Sequence, residues 1–175
     1  DAETLREEWL ELTMTTGLGC IDGYRHKSRG LYELQRSSDW AQYVLDLPMV
    51  ERPGTLFEYC SGATYLLSAI LQRTTGMRSL EFAQQHLFAP LGISDAHWQT
   101  NPQGIDYGYD QLLLTPQDMA KIGWLFLNQG KWEDRQVVSA AWVADSTRGH
   151  TRAGTLADQY GYQWWIEKDY FMAVG

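Results

Sequence analysis

Residues 51–76 read ERPGTLFEYCSGATYLLSAILQRTTG. Pro53-Gly54 is a turn signal, because proline presets one backbone angle and glycine accepts a positive one. Across residues 63–74 the apolar side chains Leu66, Leu67, Ile70 and Leu71 recur at helical spacing, which predicts a helix with one inward face. Gly76 supplies its C-terminal stop. The order is therefore turn, short run, helix, and Tyr59-Cys60-Ser61 falls at the joint. A phenol at such a joint can be aimed from a loop with a rigid helix behind it. Tyrosine is a poor base near neutral pH unless neighbouring cations favour its phenolate. The plainer reading of Tyr59 is a packing residue with its hydroxyl at the surface.

Upstream of this stretch, residues 1–10 are charged and helix-compatible, and residues 13–36 read as loop, with Gly17, Gly19, Gly23 and Gly30 breaking any period. Ser37 or Ser38 is placed to cap a helix through Trp40, Tyr43 and Val44 to Leu47, which Pro48 ends. Downstream, Ser79 is placed to cap a short helix with Phe82, Ala83 and Leu87 inward, closed by Pro90 and Gly92.

Residues 99–111 read as loop. Thr115-Pro116-Gln117-Asp118 is the strongest helix start in the chain. The threonine hydroxyl meets free backbone N–H groups, proline loses nothing at the first helical position, and aspartate suits the positive end of the helix dipole. That helix runs through Met119, Ile122, Trp124, Leu125 and Phe126 to about Gly130, and Ser139 opens another through Trp142 and Val143. Residues 160–167 (YGYQWWIE) and 170–174 (YFMAV) read as two strands joined at Lys168-Asp169. The expected fold is mainly α with a short C-terminal antiparallel β element: a helical region over residues 1–159 and the start of a sheet over 160–175. A lone hairpin is marginal in water, so more strands are expected beyond it.

Bulk properties narrow the function. The 175 residues are enough for one domain, and the 44% hydrophobic and 21% charged content is that of a globular chain. With 14 basic and 22 acidic residues the net charge is −8, which argues against nucleic acid and against anionic lipid as partners. No apolar run approaches the ~20 residues that span a bilayer. No signal peptide is visible, and the chain opens on Asp1, so an absent targeting segment does not identify the compartment. Eight Trp and ten Tyr suit either a ligand cleft or core packing. Cys20 and Cys60 have no His at metal-ligand spacing; they are either one disulfide closing a loop of about 40 residues or two buried thiols.

Motif searches for a G-x-S-x-G elbow, H-E-x-x-H, a phosphate loop or C-x-x-C find nothing. Five stretches together carry a resemblance. Residues 53–61 (PGTLFEYCS), followed by 65–71 (YLLSAIL) and Thr75-Gly76, look like the segment bearing the Tyr-x-Asn motif in class C-type β-lactamases and their esterase and peptidase relatives. Residues 12–18 (LTMTTGL) resemble that family's LLTHTSGL loop, 88–93 (FAPLGI) its PLGM turn, 114–123 (LTPQDMAKIG) its LTPRDMAKFG helix start, and 160–165 (YGYQWW) the strand before its last catalytic motif.

The resemblance implies the helical region of an α+β β-lactamase/transpeptidase-like fold. It also implies a serine hydrolase acting through an acyl-enzyme on a small ester, amide or β-lactam, with no metal or organic cofactor. Carried over by position, Tyr59 matches the tyrosine that relays protons in the family, and Ser61 stands where Asn is usual. An Asn amide donates to a substrate carbonyl, whereas Ser offers a shorter hydroxyl, which favours an esterase or peptidase-like relative over an efficient β-lactamase. The family's Ser-x-x-Lys nucleophile motif is missing: three residues before Lys27, Lys121, Lys131 and Lys168 stand Tyr24, Asp118, Asn128 and Trp165. The expectation is that it lies upstream of Asp1 and the third motif near Gly175, leaving this chain inactive alone. Family habit also implies a periplasmic or secreted location. A non-catalytic helical binding module on the same scaffold is the alternative, and an unrelated aromatic-lined sugar-binding domain a third.

Overall fold

A computed structural model of the chain describes residues 9–20, 22 and 31–174. The readings of residues 1–8, of Gly23, Tyr24, Lys27 and Gly30, and of Gly175 lie outside those residues. Residues 9–12 are helical, and a loop then runs to Cys20. The helices that follow are α1 (Leu31–Arg36), α2 (Trp40–Leu45), the long α3 (Ser61–Thr75) and α4 (Ser79–Ala83). The chain passes from α4 through a π turn (Gln84–Phe88) and a 3-10 turn (Ala89–Leu91), and α5 (Pro116–Leu127) and α6 (Ala140–Ser146) come later. Three antiparallel sheets accompany them: β1 (His97–Trp98) with β2 (Leu112–Leu113), β3 (Lys131–Trp132) with β4 (Arg135–Gln136), and a four-stranded sheet. The last is a meander of β5 (Thr151–Arg152), β6 (Gln159–Tyr160), β7 (Trp165–Ile166) and β8 (Phe171–Met172).

Most helix boundaries follow local chemistry. Gly76 caps α3 at φ 74°, a left-handed conformation that glycine adopts without steric cost. Thr115 Oγ1 accepts the Asp118 N–H at 3.2 Å and Ser139 Oγ accepts the Trp142 N–H at 3.2 Å, so both expected caps form. Other boundaries differ. Asp39, not Ser37 or Ser38, caps α2 through a 3.0 Å bond from Gln42 N–H, and the helix ends at Leu45. Ser79 is the first residue of α4 rather than its cap; its buried hydroxyl pairs with Ser68 Oγ at 2.6 Å. Residues 31–36, read as loop, form α1, whose Leu34 is fully buried. In α5, Leu125 is buried while Met119 and Trp124 face outward.

The expected strand over residues 160–167 is broken. β6 and β7 are separate strands, paired Tyr160 to Trp165, with a turn between them closed by Gly161 N–H to Trp164 O at 2.8 Å. Gln163 sits in that turn at φ 62°. The expected hairpin around Lys168-Asp169 does form, pairing Trp165 with Met172 and Ile166 with Phe171. It is the outer half of a sheet that opens at Thr151.

Two cores organise these elements. The larger gathers Met14, Cys20, Leu34, Trp40, Val44, Phe57, Cys60, Tyr65, Tyr160 and Trp165, joining the N-terminal loop, α1–α3 and the sheet. The smaller gathers Phe88, Leu91, Ile93 and Leu125, joining the turns after α4 to α5. Cys20 and Cys60 are paired as a disulfide with their Cα atoms 5.5 Å apart, which settles the two sequence readings in favour of the bridge.

Candidate active site

The joint at residues 57–61 is built by backbone pairing with the loop that precedes it. Glu58 N–H donates to Met14 O at 2.9 Å, Gly54 N–H to Thr15 O at 2.8 Å, and Val50 N–H to Gly17 O at 2.9 Å. Gly17 is at φ 79°, and a Cβ there would collide with the Glu51 carbonyl, so glycine is required for the two strands of chain to lie this close. The loop and the joint therefore hold one another, and α3 starts from a fixed position.

Tyr59 lies on this support, half-buried, with its ring stacked on Trp165 of β7 at 5.7 Å and an interplanar angle of 18°. Phe57, two residues earlier, packs against Tyr160 at 5.1 Å and Trp165 at 5.7 Å. Tyr59 is thus neither free on the surface nor sunk in the core. Among the described residues its phenolic oxygen makes no hydrogen bond. Burial is the main cause that lifts its pKa, and the carboxylates of Asp22 and Asp110 add to it. Both effects penalise the phenolate, so the Tyr59 hydroxyl is held protonated. This reverses the cationic setting in which a tyrosine becomes a base.

Ser61 is the first residue of α3 and is buried. Its backbone N–H donates to Asp22 Oδ2 at 2.8 Å, and its hydroxyl donates to the same oxygen. The Ser61 proton is therefore committed to a carboxylate, and only the oxygen lone pairs of its hydroxyl remain to be offered. The two candidate residues do come together here, and Asp22 joins them across 39 positions of sequence. Nothing local in the sequence marks Asp22. Cys60, between the candidates, caps α3 through Sγ accepting Ala63 N–H at 3.4 Å, and its disulfide partner Cys20 stands two positions before Asp22.

Gln163 closes the assembly from the sheet side. Its N–H donates to Leu12 O at 3.1 Å, its amide to Glu11 O at 3.1 Å and Leu12 O at 3.3 Å, and Thr64 Oγ1 donates to its Oε1 at 3.1 Å. One side chain thus ties the N-terminal segment to the first turn of α3. Beside the site, Tyr107 and Tyr109 stack at 5.4 Å, and Trp40 meets them at 4.7 and 6.5 Å. Burial pushes Tyr109 up to about 12, partly offset by its bond from Gln35. Among the described residues, no group of three or more His, Cys, Asp or Glu side chains could hold a metal ion. No helix there is long and apolar enough to cross a membrane.

Comparison with known proteins bears on what this joint belongs to. The chain is similar to a 6-aminohexanoate-dimer hydrolase of Paenarthrobacter ureafaciens, 29% identical over 119 residues, covering 62% of this chain and 30% of that protein. Among solved structures it is similar to a Bacillus anthracis protein provisionally named a 6-aminohexanoate-dimer hydrolase, with TM-score 0.74, 23% identity, and coverage of 97% of this chain and 49% of the other. It is also similar to a penicillin-binding protein of Bacillus halodurans, with TM-score 0.66, 18% identity, and coverage of 91% and 57%. The chain thus spans about half the length of these solved relatives, or a little more, and their likeness establishes the β-lactamase/transpeptidase-like fold. The Beta-lactamase family model matches residues 12–174, nearly the whole chain, and the chain belongs to that family of hydrolases.

Proposed function

We propose that this chain is the helical part of a serine hydrolase that opens a small amide or ester through an acyl-enzyme, with Tyr59 carrying a proton between nucleophile and leaving group. The observation behind this reading is the placement of Tyr59: half-buried, flat against Trp165, on a joint fixed by backbone pairing to the 12–18 loop. Such a support holds a phenol in one orientation, which proton transfer in a transition state demands. The nucleophile is assigned to a Ser-x-x-Lys segment outside these 175 residues, since none of the four lysines has a serine three positions before it.

The raised pKa of Tyr59 makes that lysine more than a partner in name. Burial first, and then the carboxylates of Asp22 and Asp110, favour the protonated form of Tyr59, so the resting phenol is set to donate a proton. An ammonium brought alongside would offset the two carboxylates and favour the phenolate against the burial that opposes it. Ser61 stands where Asn is usual and gives its hydroxyl proton to Asp22, which supports an esterase or peptidase-like relative over an efficient β-lactamase. The disulfide fits an oxidising compartment and supports a periplasmic or secreted site of action.

The test is hydrolysis of p-nitrophenyl esters and amino-acid anilides by the full-length protein. Tyr59→Phe is expected to lower kcat by about 10²- to 10⁴-fold with the fold intact by circular dichroism. The 175 residues alone are expected to turn over neither these esters nor nitrocefin. A full-length Tyr59→Phe enzyme with wild-type kcat would remove Tyr59 from the chemistry.

A further inference from the structure

Asp22 belongs to no motif, yet its carboxylate takes two hydrogen bonds from Ser61, and the only disulfide among the described residues crosses beside them. Cys20 is two residues from Asp22 and Cys60 adjoins Ser61. The bridge is fully buried at both ends, so it is placed to fix geometry rather than to exchange with solvent thiols. Without it, the Asp22 carboxylate would have to find the start of α3 from 39 positions away in the sequence.

We propose that Asp22 is a positioning residue of the Tyr59 site and that the Cys20–Cys60 bridge holds it there. The proposal rests on the reading of Tyr59 as the group that handles the proton. Three consequences follow from the geometry. The carboxylate satisfies the Ser61 N–H, one of the helix N–H groups that have no partner within α3, and its charge suits the positive end of the helix dipole. It turns the Ser61 hydroxyl so that lone pairs, not a proton, point away from Asp22. It also sets a negative charge beside Tyr59, in keeping with the direction in which that phenol is shifted. A cap alone would account for the first consequence but not for the others, since a neutral acceptor would serve as well.

The experiment is a pH titration of the full-length protein with 13C-labelled tyrosine, followed by NMR, with Tyr59→Phe assigning the resonance. Hydrogen exchange at the Ser61 amide is read in parallel. Asp22→Asn keeps an acceptor oxygen and removes the charge, so the Tyr59 midpoint should fall while Ser61 protection stays within about threefold of wild type. Asp22→Ala removes both, so the midpoint should fall and Ser61 protection should drop by at least about tenfold. Cys20→Ser/Cys60→Ser should reproduce the Asp22→Ala result with Asp22 still present. Cys20→Ala/Cys60→Ala repeats that arm without buried hydroxyls should the first pair fail to fold.

An unchanged Tyr59 midpoint in both Asp22 variants overturns the positioning role. Cysteine variants that keep wild-type values at Tyr59 and Ser61 overturn the tether. Neither readout depends on turnover. A protein that shows the expected shifts but cleaves no ester or amide refutes the hydrolase reading alone. One that turns over substrate with no shift refutes the placement of Asp22 alone.

Discussion

Of the five stretches that carry the family resemblance, three meet at the larger core, the near end below, and two at the smaller core, the far end, with Phe126 of α5 touching Trp164 at 4.8 Å between them. The 12–18 loop, the joint and helix of residues 53–76, and the 160–165 turn are joined by Met14 O to Glu58, by Gln163 to Leu12 and Thr64, and by the Tyr59–Trp165 stack. The 88–93 turn and the 114–123 helix start meet in the smaller core, where Phe88, Leu91 and Ile93 pack on Leu125 and Lys121 Nζ donates to Gly92 O at 3.0 Å. The two regions differ in their polar groups. At the far end, Asp118 has its lysine, with Lys121 Nζ at 2.8 Å, and its threonine, with Thr115 Oγ1 at 2.8 Å. At the near end, Asp22 has no cation among the described residues, and Tyr59 has no hydrogen-bond partner there. A motif that is matched in sequence can therefore serve the scaffold or the site. The difference lies in whether a polar group it brings, Asp118 in one region and the Tyr59 hydroxyl in the other, has a partner among the described residues.

The comparison breaks most readily at the far end. Leu125 has no exposed surface and sits at the middle of the smaller core. Leu125→Ala should cost about 3 kcal/mol, from lost burial and the cavity left behind. That loss is measured as a fall in Tm by differential scanning calorimetry on the full-length protein. The Tyr59 resonance should not move, because the smaller core shares no side chain with the site. A Tyr59 shift in this variant would mean the two regions are one.

At the near end, Gln163 should be next in effect, and two variants separate its backbone from its side chain. Gln163→Ala loses the bonds to Glu11 O, Leu12 O and Thr64 and keeps a Cβ at φ 62°; it should cost about 2 kcal/mol. Gln163→Gly loses the same bonds but relieves the backbone, and should cost about 1 kcal/mol less than the alanine variant. Equal losses in urea melts would show that the positive φ is of no consequence there.

Gln163 also shows why only part of this molecule is legible in its sequence. Residues 160–167 are rich in aromatic and β-branched types, so they read as one strand, and nothing about a glutamine announces a left-handed turn. Glycines do announce such positions, which is why the end of α3 at Gly76 was readable. The cap at Thr115 and the β7–β8 hairpin were readable for the same reason: their causes lie within four or five residues. α1 was not, because the glycines before it obscure a six-residue helix held mainly by burial of Leu34. The site divides in the same way. Tyr59 and Ser61 could be picked out by their place before a helix and by resemblance, whereas Asp22 arrives from 39 residues away through a loop with no period. The choice between a bridge and two thiols was likewise a tertiary matter.

Alkali should act on the near end before the far one. Burial pushes Tyr65 and Tyr109 up to about 12, and burial raises Tyr59 and Tyr160 as well. All four belong to the larger core or pack against it. A tyrosine whose folded pKa is raised supports the fold fully below its unfolded pKa near 10, and that support is lost as pH rises through the folded value. The stability of the protein should therefore decline from about pH 10 to about pH 12, measured as urea midpoints across that range. Urea midpoints that stay level from about pH 9 to about pH 12 would contradict the burial of this aromatic group.

The smallest effect belongs to the stretch read most easily. Thr115 Oγ1 accepts the Asp118 N–H and donates to Asp118 Oδ2 at 2.8 Å, while Lys121 binds Asp118 Oδ1 on its other side. Removing the hydroxyl in Thr115→Ala leaves one helix N–H to water and should cost about 1 kcal/mol. The lysine and threonine hydrogen bonds hold the Asp118 carboxyl below the usual carboxylate range. A depressed folded pKa gives stability that is present above the unfolded value near 4 and is lost as pH falls through the folded one. Wild type should therefore lose this contribution only in acid, and Thr115→Ala should lose part of it at a higher pH, as urea midpoints at pH 3 to 7 would show. The Tyr59 midpoint should be the same in both proteins. If removal of this cap changed that phenol, the two regions would be coupled through α5, whose Phe126 touches Trp164, and the division drawn between scaffold and site would fail.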